Sequence, residues 1–308
     1  MSEILEQCVS IVSYIVMLHI AFRILYFIYK RLRPRKDLTN RYGLNTWALV
    51  TGGTDGIGKA CCFELASMEF NVLIASRNKE KLQRTCDEIK ERHLVLTDYI
   101  VIDFDRTETT YENYCSVFGE AFRSREISVL VNNVGTFYPK KVVDLSEEEC
   151  FSNINLNCYP QVHLSHIYLQ NRTEKGAIIN ISSLSAESPM YYFNLYGPTK
   201  KFNDFFSKGL SLEYPDLDVL SVRPSAVDTN LSQMKESFLV STSPQNCAKG
   251  IFDDLGYEFD THGYWVHSVH SYFINLFPER FVIFIQEKIF ANLIKNREAK
   301  VLREMEKS

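Results

Sequence analysis

The chain has 308 residues, of which 45% are hydrophobic, and its formal net charge is −4 with a pI of about 6.0. This length and composition allow one large or two small domains, and the absence of a long basic run in the globular part excludes a nucleic-acid-binding protein. The eight cysteines include no CxxC pair and no cluster with histidine at metal-ligand spacing. We therefore predict no metal site, and reduced thiols in a cytosol-facing compartment.

Residues 8–29 form an apolar segment that is long enough to cross a bilayer as a helix. His19 and Arg23 interrupt it, but a central arginine costs about 2.5–3.5 kcal/mol, against roughly 0.3–0.6 gained by each of about a dozen apolar residues. This balance favours a spanning helix. Because these two side chains share one stripe with Tyr26 and Lys30, a helix that lies on the membrane surface is the alternative.

The basic segment KRLRPRK, residues 30–36, follows this helix directly. Positive charge tends to stay on the cytosolic side of a membrane, so the rest of the chain is expected to face the cytosol. Residues 1–36 are thus predicted to be an N-terminal membrane anchor with its basic flank.

Apolar, β-favouring runs then alternate with helical segments. The predicted strands are 47–51, 71–76, 98–103, 128–133, 176–182 and 218–224, and the predicted helices are 59–70, 79–92, 111–123, 147–170 and one that contains YGPTK at 196–200. Most of the strands are continuously apolar, which is typical of strands buried on both faces of a parallel sheet. We predict an α/β fold over residues 46–262, a doubly wound Rossmann-type sheet with helices on both faces.

Residues 263–308 contain two aromatic-rich apolar stretches that are separated by Pro278, and the second has an amphipathic helical pattern. We predict an apolar helical C-terminal extension. Either it favours a lipophilic substrate at the membrane, or its apolar faces complete the fold and seal a pocket.

A glycine-rich turn, TGGTDGIG at 51–58, stands between the first predicted strand and its helix. The N-terminus of a helix offers unpaired N–H groups, and glycines let a pyrophosphate approach them. The alternative is an ordinary tight turn. The turn residues that we predict to bind a dinucleotide are Gly52, Thr54, Gly56, Ile57 and Gly58.

The second predicted strand ends in Ser76 and Arg77, where the adenosine ribose lies in a dinucleotide-binding fold. An acidic residue at this place would accept from a free 2′-hydroxyl, whereas Arg77 can pair with a 2′-phosphate and Ser76 can donate to it. The sequence therefore favours NADPH/NADP over NAD.

Three further residues follow the ends of predicted strands. Asp103 is expected within reach of the adenine, and Asn133 and Gly135 near the nicotinamide ribose. Turn chemistry is the alternative for each, because Asn, Asp and Gly commonly end strands.

The motifs TGGTDGIG, NNVG, YGPTK and RPSAVDT occur in this order, with a serine thirteen residues before the tyrosine of YGPTK. Together they resemble the short-chain dehydrogenase/reductase family over residues 46–262. TDGIGKA, the N-terminal anchor and the apolar tail resemble its membrane-bound branch of very-long-chain 3-oxoacyl-CoA reductases and 17-beta-hydroxysteroid dehydrogenases. The resemblance implies a dinucleotide-binding catalytic domain.

The resemblance also implies catalytic roles. Tyr196 would donate a proton, and Lys200, one helical turn further on, would lower the pKa of the phenol and hold the nicotinamide ribose. Ser183 would bind the substrate carbonyl; its neighbour Ser182 is the competitor, and the thirteen-residue spacing favours Ser183.

Asn155 is matched to the family asparagine that supports a water path to the lysine, although Asn153 and Asn157 flank it. Val227 and Thr229 would contact the carboxamide end of the cofactor.

If the YGPTK helix begins near Tyr196, Gly197 and Pro198 fall in its first turn, where proline costs little. The family usually has serine or alanine types at these two positions. It also has NNAG where this chain has NNVG, so Val134 adds bulk near the cofactor.

The function implied is NADPH-dependent reduction of a ketone on a lipophilic substrate, with 3-oxoacyl-CoA first and an oxo-steroid as the alternative. A noncatalytic membrane-bound NADPH-binding scaffold is the alternative from another class. The resemblance implies the endoplasmic reticulum membrane, with the catalytic domain facing the cytosol. A homo-oligomer is left open.

Overall fold

The computed structural model of the protein describes residues 2–105, 110–172, 175–232 and 234–288. The chain divides into two compact units, the first ending at Lys36 and the second beginning at Asp37. Residues 289–308 of the predicted C-terminal extension lie outside the described residues.

The first unit is one long helix, α1, Ser2–Leu32. Within Ile4–Leu32, an 18-residue window has a mean hydropathy of 2.0, and none of that window is buried. Its length and composition are sufficient to cross a membrane, in agreement with the predicted apolar helix.

The second unit is an α/β domain. Its helices are α2 Leu38–Tyr42, α3 Gly56–Ser67, α4 Lys79–Arg92, α5 Tyr111–Ser124, α6 Glu147–Asn171, α7 Tyr196–Glu213, α8 Pro244–Asp254 and α9 Trp265–Leu276. Its strands are β1 Trp47–Thr51, β2 Asn71–Ser76, β3 Thr97–Val101, β4 Ile127–Asn132, β5 Ala177–Ile181, β6 Asp218–Val222, β7 Ala226–Val227, β8 Ser241–Thr242 and β9 Asp260–Thr261. Residues 279–288 are also helical.

Within the described ranges, seven parallel strands form the central sheet in the order β3-β2-β1-β4-β5-β6-β9. The chain order reverses between β1 and β4, so their carboxyl ends flank the crevice in which such sheets bind ligands. Strands β7 and β8 pair with each other in a separate two-stranded sheet. The predicted doubly wound fold is confirmed.

Helices cover both faces of the sheet, and the core lies in two layers. One layer joins the sheet to α3, α4 and α8, and the other joins it to α5, α6 and α7. Strand β4 is buried along its whole length, and four of its six residues are apolar, as expected for a strand covered on both faces. Strand β3 ends at Val101, two residues before the predicted end, so Asp103 lies in the loop that follows.

Candidate active site

The glycine-rich turn joins β1 to α3 in a conformation that requires its glycines. Gly52 and Gly56 have φ angles of +63° and +53°, which residues with a side chain rarely adopt. A β-carbon at Gly58 would lie 2.4 Å from the carbonyl oxygen of Gly52. Asp55 caps the helix by accepting from Gly56 N over 2.7 Å. The turn therefore keeps the start of α3 open, as a bound pyrophosphate requires.

The residues that are predicted to lie near the adenosine of the cofactor follow the carboxyl ends of β1, β2 and β3. Thr54 Oγ1 and Ser76 Oγ are 3.2 Å apart, so the structure brings these two predicted residues together. Arg77 follows β2 and is exposed. Asp103 Oδ1 accepts from the backbone N–H of Asp105 over 3.2 Å.

Asn133 ties the end of β4 to the glycine-rich turn. Its Nδ2 donates to the carbonyl oxygens of Thr51 over 2.9 Å and Gly52 over 3.2 Å. Both amide hydrogens are thus committed to the chain, and only Oδ1 is left for the predicted ribose contact. Asn133 has a role in holding the turn that the sequence did not predict.

A cavity of 540 Å³ opens from this turn, and it brings Ser183, Tyr196 and Lys200 together. Gly52, Gly56, Ile57, Asn133, Gly135, Val227 and Thr229 also line it. Thr229 lies beside the turn, because a β-carbon at Gly56 would be 2.9 Å from Thr229 Cγ2. A residue that is predicted to contact the pyrophosphate therefore lies next to one that is predicted to contact the carboxamide.

Ser183 is the serine that is suited to bind a carbonyl. Its Oγ accepts from the backbone N–H of Ser185 over 3.1 Å, so the hydroxyl hydrogen can be donated elsewhere. Ser182 is buried, and its hydroxyl donates to the carbonyl oxygen of Lys200 over 2.6 Å. This geometry favours Ser183 over its neighbour, as the spacing predicts.

Tyr196 is the first residue of α7, so Gly197 and Pro198 occupy the first turn of the helix. The Lys200 ammonium lies one turn further on, 5.5 Å from the centre of the Tyr196 ring. It donates to the carbonyl oxygen of Ile181 over 2.9 Å.

The pKa values of these two groups move in opposite directions. Burial raises the pKa of Tyr196 to about 12, although a hydrogen bond with Ser183 acts to lower it. Burial lowers the pKa of Lys200 to about 8, so the amine still carries most of its charge at pH 7.

The surroundings of Asn155 and its neighbour Asn157 differ. Asn157 and Lys200 both approach the loop at Gly135, because a β-carbon at Gly135 would lie 2.6 Å from Asn157 Oδ1 and 3.3 Å from Lys200 Nζ. Asn157 also exchanges hydrogen bonds of 2.9 and 3.0 Å with the backbone of Thr136. Asn155 is buried, and its Nδ2 has no hydrogen-bond partner among the described residues.

Asn153 and Asn157, four residues apart, share a face of α6 and are joined by a 3.0 Å hydrogen bond, whereas Asn155 faces a different side of the helix. The role of Asn155 in a water path to the lysine stays a prediction.

The sequence did not indicate that one wall of the cavity is apolar. The Phe137 ring lies 4.5 Å from that of Phe193 and 4.9 Å from that of Tyr196, measured between centres. Met190 and Leu231 line the same cavity. These residues lie in loops without periodicity, so the available signal was only that they follow predicted strand ends.

These features fit a bound dinucleotide, with a bare helix N-terminus, an arginine after β2 and close glycines at the turn. The described residues contain no group of three or more His, Cys, Asp or Glu side chains that could hold a metal ion. The fold, and a cavity that holds Ser183, Tyr196 and Lys200 together, are typical of the class of dinucleotide-binding oxidoreductases.

Comparison with known proteins identifies the family. A family model described as short chain dehydrogenase matches residues 46–239. The chain belongs to the short-chain dehydrogenase family of oxidoreductases.

Several curated relatives match most of the chain. Hydroxysteroid dehydrogenase-like protein 1 of Gallus gallus is 37% identical, covering 79% of this chain and 75% of the relative. The Homo sapiens relative named inactive hydroxysteroid dehydrogenase-like protein 1 is 38% identical, covering 81% and 77%. Very-long-chain 3-oxoacyl-CoA reductase of Homo sapiens is 35% identical, covering 86% and 85%.

Solved structures agree with the fold. A structure described in work on 7beta-hydroxysteroid dehydrogenase stereoselectivity has a TM-score of 0.70 at 23% identity, covering 82% of this chain and 99% of that one. An alcohol dehydrogenase from Thermococcus sibiricus complexed with 5-hydroxy-NADP has a TM-score of 0.60 at 25% identity, covering 67% and 88%.

Proposed function

We propose that the protein is an NADPH-dependent reductase that converts a ketone on a lipophilic substrate, a long-chain 3-oxoacyl-CoA, into the alcohol. The observation that carries this proposal is the convergence of Ser183, Tyr196 and Lys200 on one cavity that begins at the glycine-rich turn. Carbonyl reduction needs a proton donor and a group that binds the developing oxyanion, and these side chains are of the right types.

Bound NADPH would supply the hydride. Ser183 donates a hydrogen bond to the carbonyl oxygen, and Tyr196 then delivers its phenolic proton to that oxygen. The pKa of Tyr196, about 12, keeps the phenol protonated at neutral pH, which is the form that reduction requires. The positive charge of Lys200 stabilises the phenolate that is left.

Two features support a long acyl chain. The cavity has an apolar wall that includes Phe137, Met190, Phe193 and Leu231. The family relative named very-long-chain 3-oxoacyl-CoA reductase covers 86% of this chain. An oxo-steroid is the competing substrate, because other relatives carry hydroxysteroid dehydrogenase-like names.

A noncatalytic NADPH-binding scaffold is the second candidate, since some relatives are named inactive hydroxysteroid dehydrogenase-like protein 1. The chain keeps Ser183, Tyr196 and Lys200 in one cavity, which a scaffold does not need. A scaffold would bind NADPH without consuming it.

The test is NADPH consumption by the purified full-length protein, followed by its absorbance, with a long-chain 3-oxoacyl-CoA, a short-chain 3-oxoacyl-CoA and an oxo-steroid. We expect the largest kcat/KM for the long-chain thioester. A larger value for the steroid would select the competing substrate, and binding without turnover of any of the three would select the scaffold.

We further propose that α1 anchors the protein in the endoplasmic reticulum membrane, with the second unit in the cytosol, and that the cavity opens toward the bilayer. Apolar side chains are exposed on the loop that lines the cavity and on the C-terminal helices. This exposed apolar surface consists of Leu231, Phe238, Leu239, Val240, Phe273, Leu276, Phe277, Phe281 and Phe284, of which Leu231 and Val240 line the cavity.

The two tryptophans allow a test of this surface. The ring centre of Trp265 lies 6.0 Å from that of Phe238, which is 73% exposed. Trp47 is the first residue of β1 and so lies at the amino edge of the sheet, opposite to the carboxyl edge that flanks the cavity. In vesicles of brominated lipid, we expect the Trp47→Phe protein, which keeps only Trp265, to lose a large part of its fluorescence by contact quenching. The Trp265→Phe protein is the matched control and should be unaffected. Equal quenching of both proteins, or of neither, would contradict the proposed orientation.

A further inference from the structure

Glu187 lies four residues after Ser183, immediately after the short turn Leu184–Ala186. Its side chain is only 4% exposed. Oε1 lies 3.1 Å from Arg223 Nη1 and 3.1 Å from His262 Nε2. A buried carboxylate is costly unless it is paired, so these contacts hold the end of the Ser183 loop in one place.

The other oxygen of Glu187 binds helix α9. Ser271 Oγ donates to Oε2 over 2.7 Å and Asn275 Nδ2 donates to it over 2.9 Å. Burial raises the pKa of Glu187, but hydrogen bonds from His262 and Ser271 and the charge of Arg223 outweigh this and lower it to about 2. The carboxylate is therefore charged at neutral pH and keeps its donors.

The same side of α9 holds two other walls of the cavity. His267 Nε2 lies 3.1 Å from the carbonyl oxygen of Ala226, and His270 Nε2 lies 2.9 Å from that of Leu239. Ala226 itself and Val240, which follows Leu239, line the cavity. Burial lowers the pKa of His267 to about 4, so its ring is neutral at pH 7 and donates to one of the two backbone carbonyl oxygens that it faces, those of Ala226 and His262.

We propose that α9, acting through Glu187, is a positioning element of the active site. Its polar face fixes the loop that carries Ser183 together with two other walls of the cavity. Glu187 and Ser271 are positioning residues, because their contacts are with protein groups outside the reacting set. The kinetic part of this inference rests on the proposed function. Reaction rates depend on sub-ångström placement, so releasing the Ser183 loop lowers kcat while the glycine-rich turn still binds NADPH.

The test compares Ser271→Ala, Asn275→Ala and Ser271→Thr in the full-length protein. The first two remove one donor to Glu187 each, and we expect kcat to fall by about tenfold in each, with the Kd for NADPH changed by less than about twofold. Ser271→Thr keeps the hydroxyl and should retain kcat within about threefold.

Thr46→Val is the structural control. It removes a buried hydroxyl that lies 2.6 Å from Ser128 Oγ, before the amino end of β1 and away from the cavity. We expect it to lower Tm without changing kcat. If loss of stability alone explained the α9 variants, this control would lower kcat as they do.

Amide hydrogen exchange of residues 183–187 gives a readout that does not depend on turnover. We expect exchange there to become about tenfold faster in Ser271→Ala and Asn275→Ala, and to stay unchanged in Thr46→Val. Unchanged exchange at 183–187 in both α9 variants, or an unchanged kcat in both, overturns the proposal. If the parent protein reduces no ketone, the proposed function fails, and the exchange rates alone decide whether α9 positions this loop.

Discussion

Replacing Tyr196 with phenylalanine is expected to lower kcat for ketone reduction by about 1,000-fold or more. The substitution removes one oxygen and leaves the ring in contact with Phe137. No other described hydroxyl of the cavity has the tyrosine's position at the start of α7, one turn before the Lys200 ammonium. The loss should therefore be in proton delivery and not in folding.

Measuring NADPH binding distinguishes a loss of proton delivery from a loss of cofactor binding as the cause of lower activity. We expect the Kd for NADPH, measured by fluorescence titration, to change by less than about threefold in Tyr196→Phe, because the glycine-rich turn does not involve the phenol. Tyr191→Phe is the matched control. Tyr191 is exposed, and its substitution removes the same phenolic oxygen five residues before Tyr196. Turnover that survives in Tyr196→Phe would eliminate the proposed proton donor.

Replacing Arg77 with aspartate is expected to reverse cofactor preference. Arg77 is exposed after β2, where it can pair with a 2′-phosphate, and a carboxylate there would repel the phosphate and accept from a free 2′-hydroxyl. We expect the ratio of kcat/KM for NADPH to that for NADH to fall by about 100-fold or more.

The control for this prediction is Arg84→Asp, which makes the same change of charge at an exposed position on α4. It should leave the ratio within about threefold of the parent value. A ratio that is equally unaffected in Arg77→Asp would remove the basis for assigning NADPH.

The sheet could be predicted because its strands follow a local rule. A strand that is buried on both faces, such as β4, is mostly apolar, and that pattern is visible without any knowledge of the fold. The start of α7 was predictable for a similar reason, because Gly197 and Pro198 are tolerated together only in the first turn of a helix.

The site features that were not predicted depend on contacts between distant segments. The packing of α6 brings Asn157 to the loop at Gly135, and no local sequence pattern indicates this contact. The role of Asn133 in tying β4 to the turn needs the switch in strand order between β1 and β4. Local sequence rules do not contain this information.

Helix α9 illustrates the same limit on a larger scale. Its sequence indicated an apolar extension, yet its polar residues His267 and Ser271 bind backbone and carboxylate groups around the cavity. These partners are 41 and 84 residues away in sequence, so no periodic pattern could have indicated them.

The most direct measurement is the fate of the hydride. The full-length protein would be incubated with NADPH that carries deuterium at both C4 positions of the nicotinamide and with a long-chain 3-oxoacyl-CoA, and the product would be analysed by mass spectrometry. We expect deuterium on the new carbinol carbon with the parent protein and none above background with Tyr196→Phe. A 3-hydroxy product without deuterium, or no product from any ketone although NADPH binds, would contradict the proposed reaction.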